Sequence, residues 1–370
     1  MRIGFDAKRA FFNYSGLGNY SRNTIQYLNQ YYPENEYFLY IPRKSRTPAF
    51  QEYRGQQLIY PDSFISKLFP SLWRSYLLPG KLDSDKIQLY HGLSNEIPFG
   101  IHRYKIRSVV TIHDLIFLRF PEWYKKTDRF IYKSKTLYSC RFSNRIIAIS
   151  NQTKADIIEY YQINPDKIDV VYQGCDPQFY QESTLTRKEE ILKKYDISAG
   201  YLLYVGTIEK RKNLLNIVKA LHSGKISETL VVIGRQTRYA DEVKKYISSH
   251  QLKNIKFLTD VPNPDLPPLY QMASLFIYPS TYEGFGIPIL EALYSRIPVI
   301  TTSGGCFSEA GGGHSIYIDP EDVEQISDAI KKVLGDKELR LVMITKGYDH
   351  ALKFNDGIIA RNIMNVYTYD

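Results

Sequence analysis

Two glutamates bracket a glycine-rich turn in Glu283-Gly-Phe-Gly-Ile-Pro-Ile-Leu-Glu291. The turn follows an apolar run ending at Tyr278, and a helical pattern from Pro288 to Tyr294 follows it. Gly284 and Gly286 let backbone approach a ligand, and amides at a helix start are donors at the positive end of a dipole. Glu283 lies in the turn and Glu291 is placed in the first helical turn, where it should stay ionised. Arg211-Lys212, read at another helix start, adds a forked and a point-like cation suited to a diphosphate. Amides and cations for phosphate, with carboxylates for hydroxyls, fit a phosphorylated, polyhydroxylated ligand.

These residues need elements to position them. Arg2-Ile-Gly-Phe-Asp6 reads as a strand, followed by the loop Asn13-Tyr-Ser-Gly-Leu-Gly-Asn-Tyr20, a helix over about 18–31 and a strand over 37–41. Gly16-x-Gly18 lacks the third glycine of the dinucleotide fingerprint and by itself also fits a plain tight turn. Further strands are expected at 86–91, 108–113, 145–150 and 169–172. His113 ends the second of these, at the carboxyl end of a parallel strand, where it either faces a cleft or serves as a hydrogen-bonded structural residue. A basic, aromatic helix is expected over 123–141, and Ser150 is placed to cap the next. The pattern restarts at 201–205, with strands at 229–234, 255–258, 275–278 and 298–301. Helices are expected over 214–221, about 239–249, about 265–272 and 321–334, and residues 303–309 read as flexible. The fold class is α/β: two doubly wound, Rossmann-like domains, 1–175 joined by a final helix at about 355–370, and 176–354, facing across a cleft.

Size and composition agree with two domains, since 370 residues exceed what one core usually serves. Cys140, Cys175 and Cys306 form neither a disulfide framework nor a metal-ligand spacing, which points to a reducing compartment. Met1-Arg-Ile-Gly-Phe-Asp6 reads as a strand rather than a signal peptide, and no apolar run spans a bilayer; a cytosolic protein is expected. The formal charge of +9 resides in the first half, with residues 1–175 at net +10 and 176–370 at net −1. Arg43-Lys44-x-Arg46 and the aromatic–basic run from Phe64 to Pro79 lie in a stretch, 43–86, that is hard to assign. The run suits a membrane surface, although a partly buried helix is the commoner outcome. Asp83-Ser-Asp85 reads as a surface turn.

In combination these motifs resemble the retaining glycosyltransferases of family four, with the GT-B fold, over nearly the whole chain. Glu283-x7-Glu291 resembles the paired-glutamate motif and Gly206-Thr-Ile-Glu-Lys-Arg-Lys-Asn213 the donor-diphosphate loop. Thr111-Ile-His-Asp-Leu115 is similar to the catalytic-histidine strand end, and Ser15-Gly-Leu-Gly-Asn-Tyr20 to the first glycine loop. The resemblance implies that Arg211 and Lys212 neutralise the leaving diphosphate. Glu283 and the amides of Gly284, Phe285, Gly286 and Ile287 hold the donor sugar, and Glu291 holds the ribose. Gly16, Gly18, Gly206 and Thr207 approach phosphate, Arg235, Asp260 and Val261 lie near the base, and His113 lies near sugar and acceptor with Asn95 and Asp114 on the acceptor side. Thr207 stands where many members have arginine, residues 304–308 lack the usual Asn-Ser pattern, and Phe354-Asn-Asp replaces Phe-Ser-Trp.

The implied reaction moves a hexose from GDP-mannose or a UDP-sugar to a growing, lipid-linked surface polysaccharide, without metal or cofactor. The Thr-Ile-Glu-x-Arg-Lys-Asn form of the loop resembles mannosyltransferase-like members. Peripheral contact with an anionic membrane, at the inner face of the plasma membrane, is expected, and nucleic acid is not an expected partner. The alternatives are a sugar-nucleotide epimerase or phosphorylase on the same fold, or a non-catalytic binding protein.

Overall fold

The computed structural model describes residues 1–44 and 55–369. Arg46 of the basic cluster lies outside the described residues. The chain divides into two compact units, Met1–Gly174 with Asn355–Asp370, and Cys175–Phe354.

The first unit holds seven strands: β1 (Arg2–Asp6), β2 (Glu36–Tyr40), β3 (Gln56–Ile59), β4 (Leu89–Gly92), β5 (Arg107–Ile112), β6 (Arg145–Ala148) and β7 (Ile168–Val170). They run parallel in the order β3-β2-β1-β4-β5-β6-β7. The order reverses between β1 and β4, so loops leaving those two strands diverge and open a crevice at their carboxyl ends. The central strands are buried along their length, as a parallel sheet covered on both faces requires. Tyr40, Leu82, Tyr90, Val110, Ile146 and Ile157 belong to one apolar core in this unit.

A polar chain runs through the middle of that sheet. Tyr20 Oη and His91 Nε2 each lie 2.8 Å from Thr111 Oγ1, and His91 Nδ1 lies 2.6 Å from Tyr367 Oη. Tyr367 belongs to the Asp356–Thr368 helix, so this chain fastens the C-terminal helix to the sheet. Burial drives His91 down to about 3, so it is neutral and can join the chain as donor and acceptor.

The second unit repeats the plan with β8 (Leu202–Val205), β9 (Leu230–Ile233), β10 (Ile255–Leu258), β11 (Leu275–Tyr278), β12 (Val299–Thr302) and β13 (Ile316–Ile318). All are parallel, in the order β10-β9-β8-β11-β12-β13, with the reversal between β8 and β11. Leu202, Ile217, Leu230, Val232, Ile277 and Ile330 are among its core residues.

Several elements depart from the sequence reading. The stretch 43–86 contains β3 and a broken helical run, in which a π-turn at Trp73–Leu77 separates short helices. The Leu185–Tyr195 helix is dominated by charged residues and β13 is only three residues long, so neither stands out. Residues 303–309 are not a flexible loop, because a helix spans Gly305–Gly311. Asp85 is not in a free surface turn; it accepts from Tyr40 Oη at 2.9 Å and pairs with Lys81 at 2.8 Å. Ser150 caps as expected, accepting from the Thr153 amide at 3.0 Å.

Candidate active site

At the β8–β11 reversal of the second unit, four charged side chains and a tyrosine meet. Glu283 Oε2 lies 2.7 Å from Arg211 Nη1, and Glu283 Oε1 lies 3.3 Å from Lys212 Nζ. The same Oε1 accepts from Tyr278 Oη at 2.8 Å and from Ser280 Oγ at 2.9 Å. Lys212 Nζ donates to Tyr278 Oη at 2.7 Å, and Arg211 Nη2 pairs with Glu209 at 2.7 Å. Burial alone would raise the Glu283 carboxyl. The charges of Lys212 and Arg211, with hydrogen bonds from Arg211 and Tyr278, more than reverse that and set it at about 2. Arg211 is partly desolvated but keeps its proton, because Glu283 and Glu209 face it.

Local sequence explains the positioning. β11 delivers Tyr278 to the strand end, and the turn after it is stapled to β12. Thr301 Oγ1 donates to the Tyr278 carbonyl at 2.8 Å and Thr302 Oγ1 to the Ser280 carbonyl at 2.6 Å. Cys306, in the Gly305–Gly311 helix, donates its thiol to the Glu283 carbonyl at 3.1 Å. That contact gives the 304–308 segment a role in holding the turn. The loop after β8 passes so close to that after β9 that a Cβ on Gly234, at φ +153°, would lie 2.0 Å from the Gly206 carbonyl oxygen.

Arg211 and Lys212 do not start a helix. They sit in a 3-10 turn, Lys210–Lys212, and Asn213 at φ 57° separates them from the Leu214–Ser223 helix. The Lys212 and Asn213 amides are engaged within the turn, donating to Glu209 O and Lys210 O. The cations are offset by the two carboxylates rather than set at a helix start. Asn213 itself is structural, donating its side-chain amide to the Pro320 carbonyl.

The Ile287–Tyr294 helix begins one residue before the expected start, with Gly286 as its cap at φ 108°. Glu291 therefore lies in the second turn. It accepts from Tyr270 Oη at 2.8 Å. Burial raises its carboxyl to about 7, only partly opposed by the Tyr270 hydrogen bond, so the expectation of a fixed carboxylate is corrected: proton and charge are balanced near neutrality. Phe285 is buried with its ring 5.7 Å from Phe354. Thr207 and Val261 are half-buried, whereas Arg235 and Asp260 are exposed at the ends of β9 and β10, one and two strands outward from β8. Tyr278, Ser280 and Tyr270 complete the site and were not singled out from sequence. Tyr278 and Tyr270 read there as ordinary strand and helix residues, and Ser280 as an ordinary turn residue.

In the first unit His113 follows β5 and is buried at 4% exposure. Its Nε2 lies 2.9 Å from the Leu93 carbonyl oxygen, which can only accept, so Nε2 carries the proton. Burial lowers its pKa to about 4, against a smaller opposing effect of that hydrogen bond. The Tyr20 ring meets it edge-on at 4.7 Å. Within this unit the side chain is buried and hydrogen-bonded. Asn95, at φ 60°, uses Oδ1 to accept the His113 amide at 2.9 Å, and Asp114 Oδ1 accepts the Ile116 amide at 3.2 Å. Gly18 is packed, since a Cβ there would lie 1.8 Å from the Asn13 carbonyl oxygen, whereas Gly16 is exposed with open space around it.

The carboxyl end of β1 holds an unforeseen cluster. Arg74 spans Asp6 at 2.5 Å and Glu96 at 2.8 Å, and Lys135 reaches Glu96 at 3.2 Å. An aspartate ending the first strand of a doubly wound sheet is the signal that could have marked it. Among the described residues, no group of three His, Cys, Asp or Glu side chains is arranged to hold a metal ion.

Residues 14–179 match the family described as Glycosyltransferase Family 4, and residues 187–350 match Glycosyl transferases group 1. O-antigen chain mannosyltransferase B of Escherichia coli is 30% identical over 289 residues, which cover 76% of this chain and 74% of that protein. O-antigen chain mannosyltransferase RfbU of Salmonella typhimurium is 28% identical over 229 residues, 61% of this chain and 60% of its own. The crystal structure of a glycosyltransferase from Rickettsia africae superposes with a TM-score of 0.76 at 17% identity, covering 100% of this chain and 99% of that one. With two doubly wound sheets of the GT-B fold, this chain belongs to the family 4, group 1 glycosyltransferases.

Proposed function

We propose that the protein transfers a hexose from a nucleotide sugar, GDP-mannose or a UDP-sugar, to a growing, lipid-linked surface polysaccharide. Configuration is retained, and neither a metal nor a cofactor is needed. The observation that carries this reading is the Glu283 clamp, one carboxylate held between Arg211 and Lys212 at 2.7 and 3.3 Å. An arriving diphosphate takes N–H groups of both cations and frees Glu283 to accept from hydroxyls of the donor sugar. The O-antigen mannosyltransferases among the relatives favour a mannosyl donor and a polysaccharide acceptor.

Breaking the glycosyl–phosphate bond builds positive charge on the sugar and negative charge on the diphosphate. Cations preorganised at the leaving oxygen therefore lower the barrier more than they stabilise the bound donor. The acceptor hydroxyl enters from the face the diphosphate leaves and gives its proton to the departing phosphate. Glu283, already hydrogen-bonded on both oxygens and fully ionised, holds the sugar rather than attacking it. Glu291 takes the ribose hydroxyls; Arg235, Asp260 and Val261 take the base; Gly206, Thr207 and the amides of Gly284, Phe285, Gly286 and Ile287 serve phosphate and sugar. In the first unit Gly16 and Gly18 serve phosphate, and His113, Asn95 and Asp114 serve the acceptor. The enzyme works in the cytoplasm at the inner face of the plasma membrane.

Thermal-shift screening of a nucleotide-sugar panel identifies the donor, because at a given concentration the tighter ligand stabilises the folded state more. Nucleoside diphosphate release from that donor should then require a lipid-linked glycan acceptor. Lys212→Ala and Glu283→Ala should abolish it while the protein stays folded. Wild-type turnover in both variants would refute the site, and isomerised donor without acceptor would point to an epimerase.

A further inference from the structure

The Phe64–Leu68 helix is built inside out. Ser63 Oγ caps it by accepting the Ser66 amide at 3.1 Å, and Ser66 is the residue turned inward, at 4% exposure. The large apolar side chains point outward: Phe64 is 81% exposed, and Ile65, Leu68, Phe69, Leu72 and Tyr76 are exposed as well. The run is helical in short pieces and partly buried, as expected, but these apolar side chains lie on its exposed side. The segment is held firmly from behind, since Trp73 and Leu78 are buried and Arg74 is locked to Asp6 and Glu96. Apolar side chains anchored in water at this density mark a surface that meets another phase or partner.

The patch continues onto a second helix. Tyr76 stacks on Phe99 at 5.0 Å, and Phe99 meets Tyr138 at 4.5 Å in the Lys126–Phe142 helix. Two turns back along the face of Tyr138 is Ile131, exposed beside Phe130, which is 72% exposed. Exposed lysines lie in both segments, Lys67 in the first and Lys126 and Lys133 on the second helix, where Asp128 is the acidic residue of the first turn. From Phe64 to Lys81 the chain has no acidic residue. A second copy docking isologously would press like charges together. A plane of anionic headgroups over acyl chains complements both the cations and the apolar side chains.

We propose that Phe64, Ile65, Leu68, Phe69 and Leu72, flanked by Lys67 and continued by Phe130 and Ile131, dock the first unit on an anionic lipid bilayer. The lipid-linked acceptor proposed above gives docking a purpose. Vesicle binding requires no turnover, so the two readings fail separately.

The test is co-sedimentation of the full chain with phosphatidylcholine vesicles, with and without about 30% phosphatidylglycerol. The wild type should partition roughly tenfold or more in favour of anionic vesicles at low salt, and less at high salt. Phe64→Ser/Leu68→Ser/Leu72→Ser should lose about tenfold or more of that partition with an unchanged thermal melt, because the side chains are already exposed. Lys67→Glu should weaken binding severalfold at low salt only. Equal binding to both vesicle types, or wild-type binding by the triple variant, overturns the proposal. So does light scattering that shows a lipid-free dimer, broken by the triple variant, in a protein that ignores vesicles; the face would then belong to a second copy.

Discussion

Tyr278 Oη lies between Lys212 and Glu283, accepting from the lysine at 2.7 Å and donating to the carboxylate at 2.8 Å. One buried hydroxyl thus fixes the spacing of a cation and an anion that the sequence holds far apart. Tyr278→Phe keeps the ring and removes both bonds. The expected cost is about 1–3 kcal/mol of stability and about tenfold in kcat. Denaturant melts and acceptor-dependent turnover, measured on the same preparation, check the two effects.

Arg211 bridges Glu283 and Glu209 with two edges of one guanidinium. Lysine cannot reproduce that fork, so Arg211→Lys should lose activity by about 10²-fold even though the charge is kept. Steady-state kinetics should place the loss in kcat/KM. Unchanged kinetics would remove Arg211 from the diphosphate role.

Glu209 competes with an incoming phosphate for Arg211, and its side chain is 38% exposed. Glu209→Gln should tighten binding of the nucleoside diphosphate by roughly 2–5-fold, as expected for a partly exposed pair worth up to about 1 kcal/mol. Titration calorimetry with the diphosphate reads this directly. Weaker binding would mean that Glu209 orients Arg211 rather than opposing the ligand.

The two glutamates of the motif respond to pH in opposite directions. Glu283 is depressed to about 2, so its contribution to stability is present above about 4.5 and is lost as pH falls toward 2. Glu291 is raised to about 7, so the folded form holds a proton that the unfolded chain releases. Stability falls as pH rises from about 4.5 to about 7, by roughly 1–3 kcal/mol. Glu291→Gln should flatten that limb in melts between pH 5 and 8. Donor affinity in the wild type should rise across pH 7 as Glu291 becomes a full acceptor, and Glu291→Gln should abolish the rise.

His113 and His91 are held neutral, at about 4 and about 3, below the ordinary value of 6.5. Lowered histidines contribute stability that is present above pH 6.5 and is lost as pH falls through the 6.5–3 window. Acid melts of the wild type should steepen there, and His91→Gln should soften the slope. The turnover profile should show no limb from His113 near 6.5.

The alternating pattern of buried runs and Gly/Pro loops determined two doubly wound sheets, because parallel strands buried on both faces must be continuously apolar. The spacing of Glu283 and Glu291, with Arg211-Lys212 after another strand, also placed the candidate donor site, since strand ends share one edge of a parallel sheet. Sequence could not decide how those charges face one another. The cations meet Glu283 and Glu209 only because β8 and β11 are neighbours across a switch of strand order. Desolvation is likewise a tertiary quantity. It left Glu291 near 7 where a turn-by-turn reading expected a carboxylate, and it enclosed His113 against Leu93 and Tyr20. The Phe64–Leu72 run shows the same division: its composition suits a membrane surface, although a partly buried helix is the commoner outcome. Only the inward turn of Ser66 and the anchoring of Trp73 and Arg74 decided that its apolar side chains face outward.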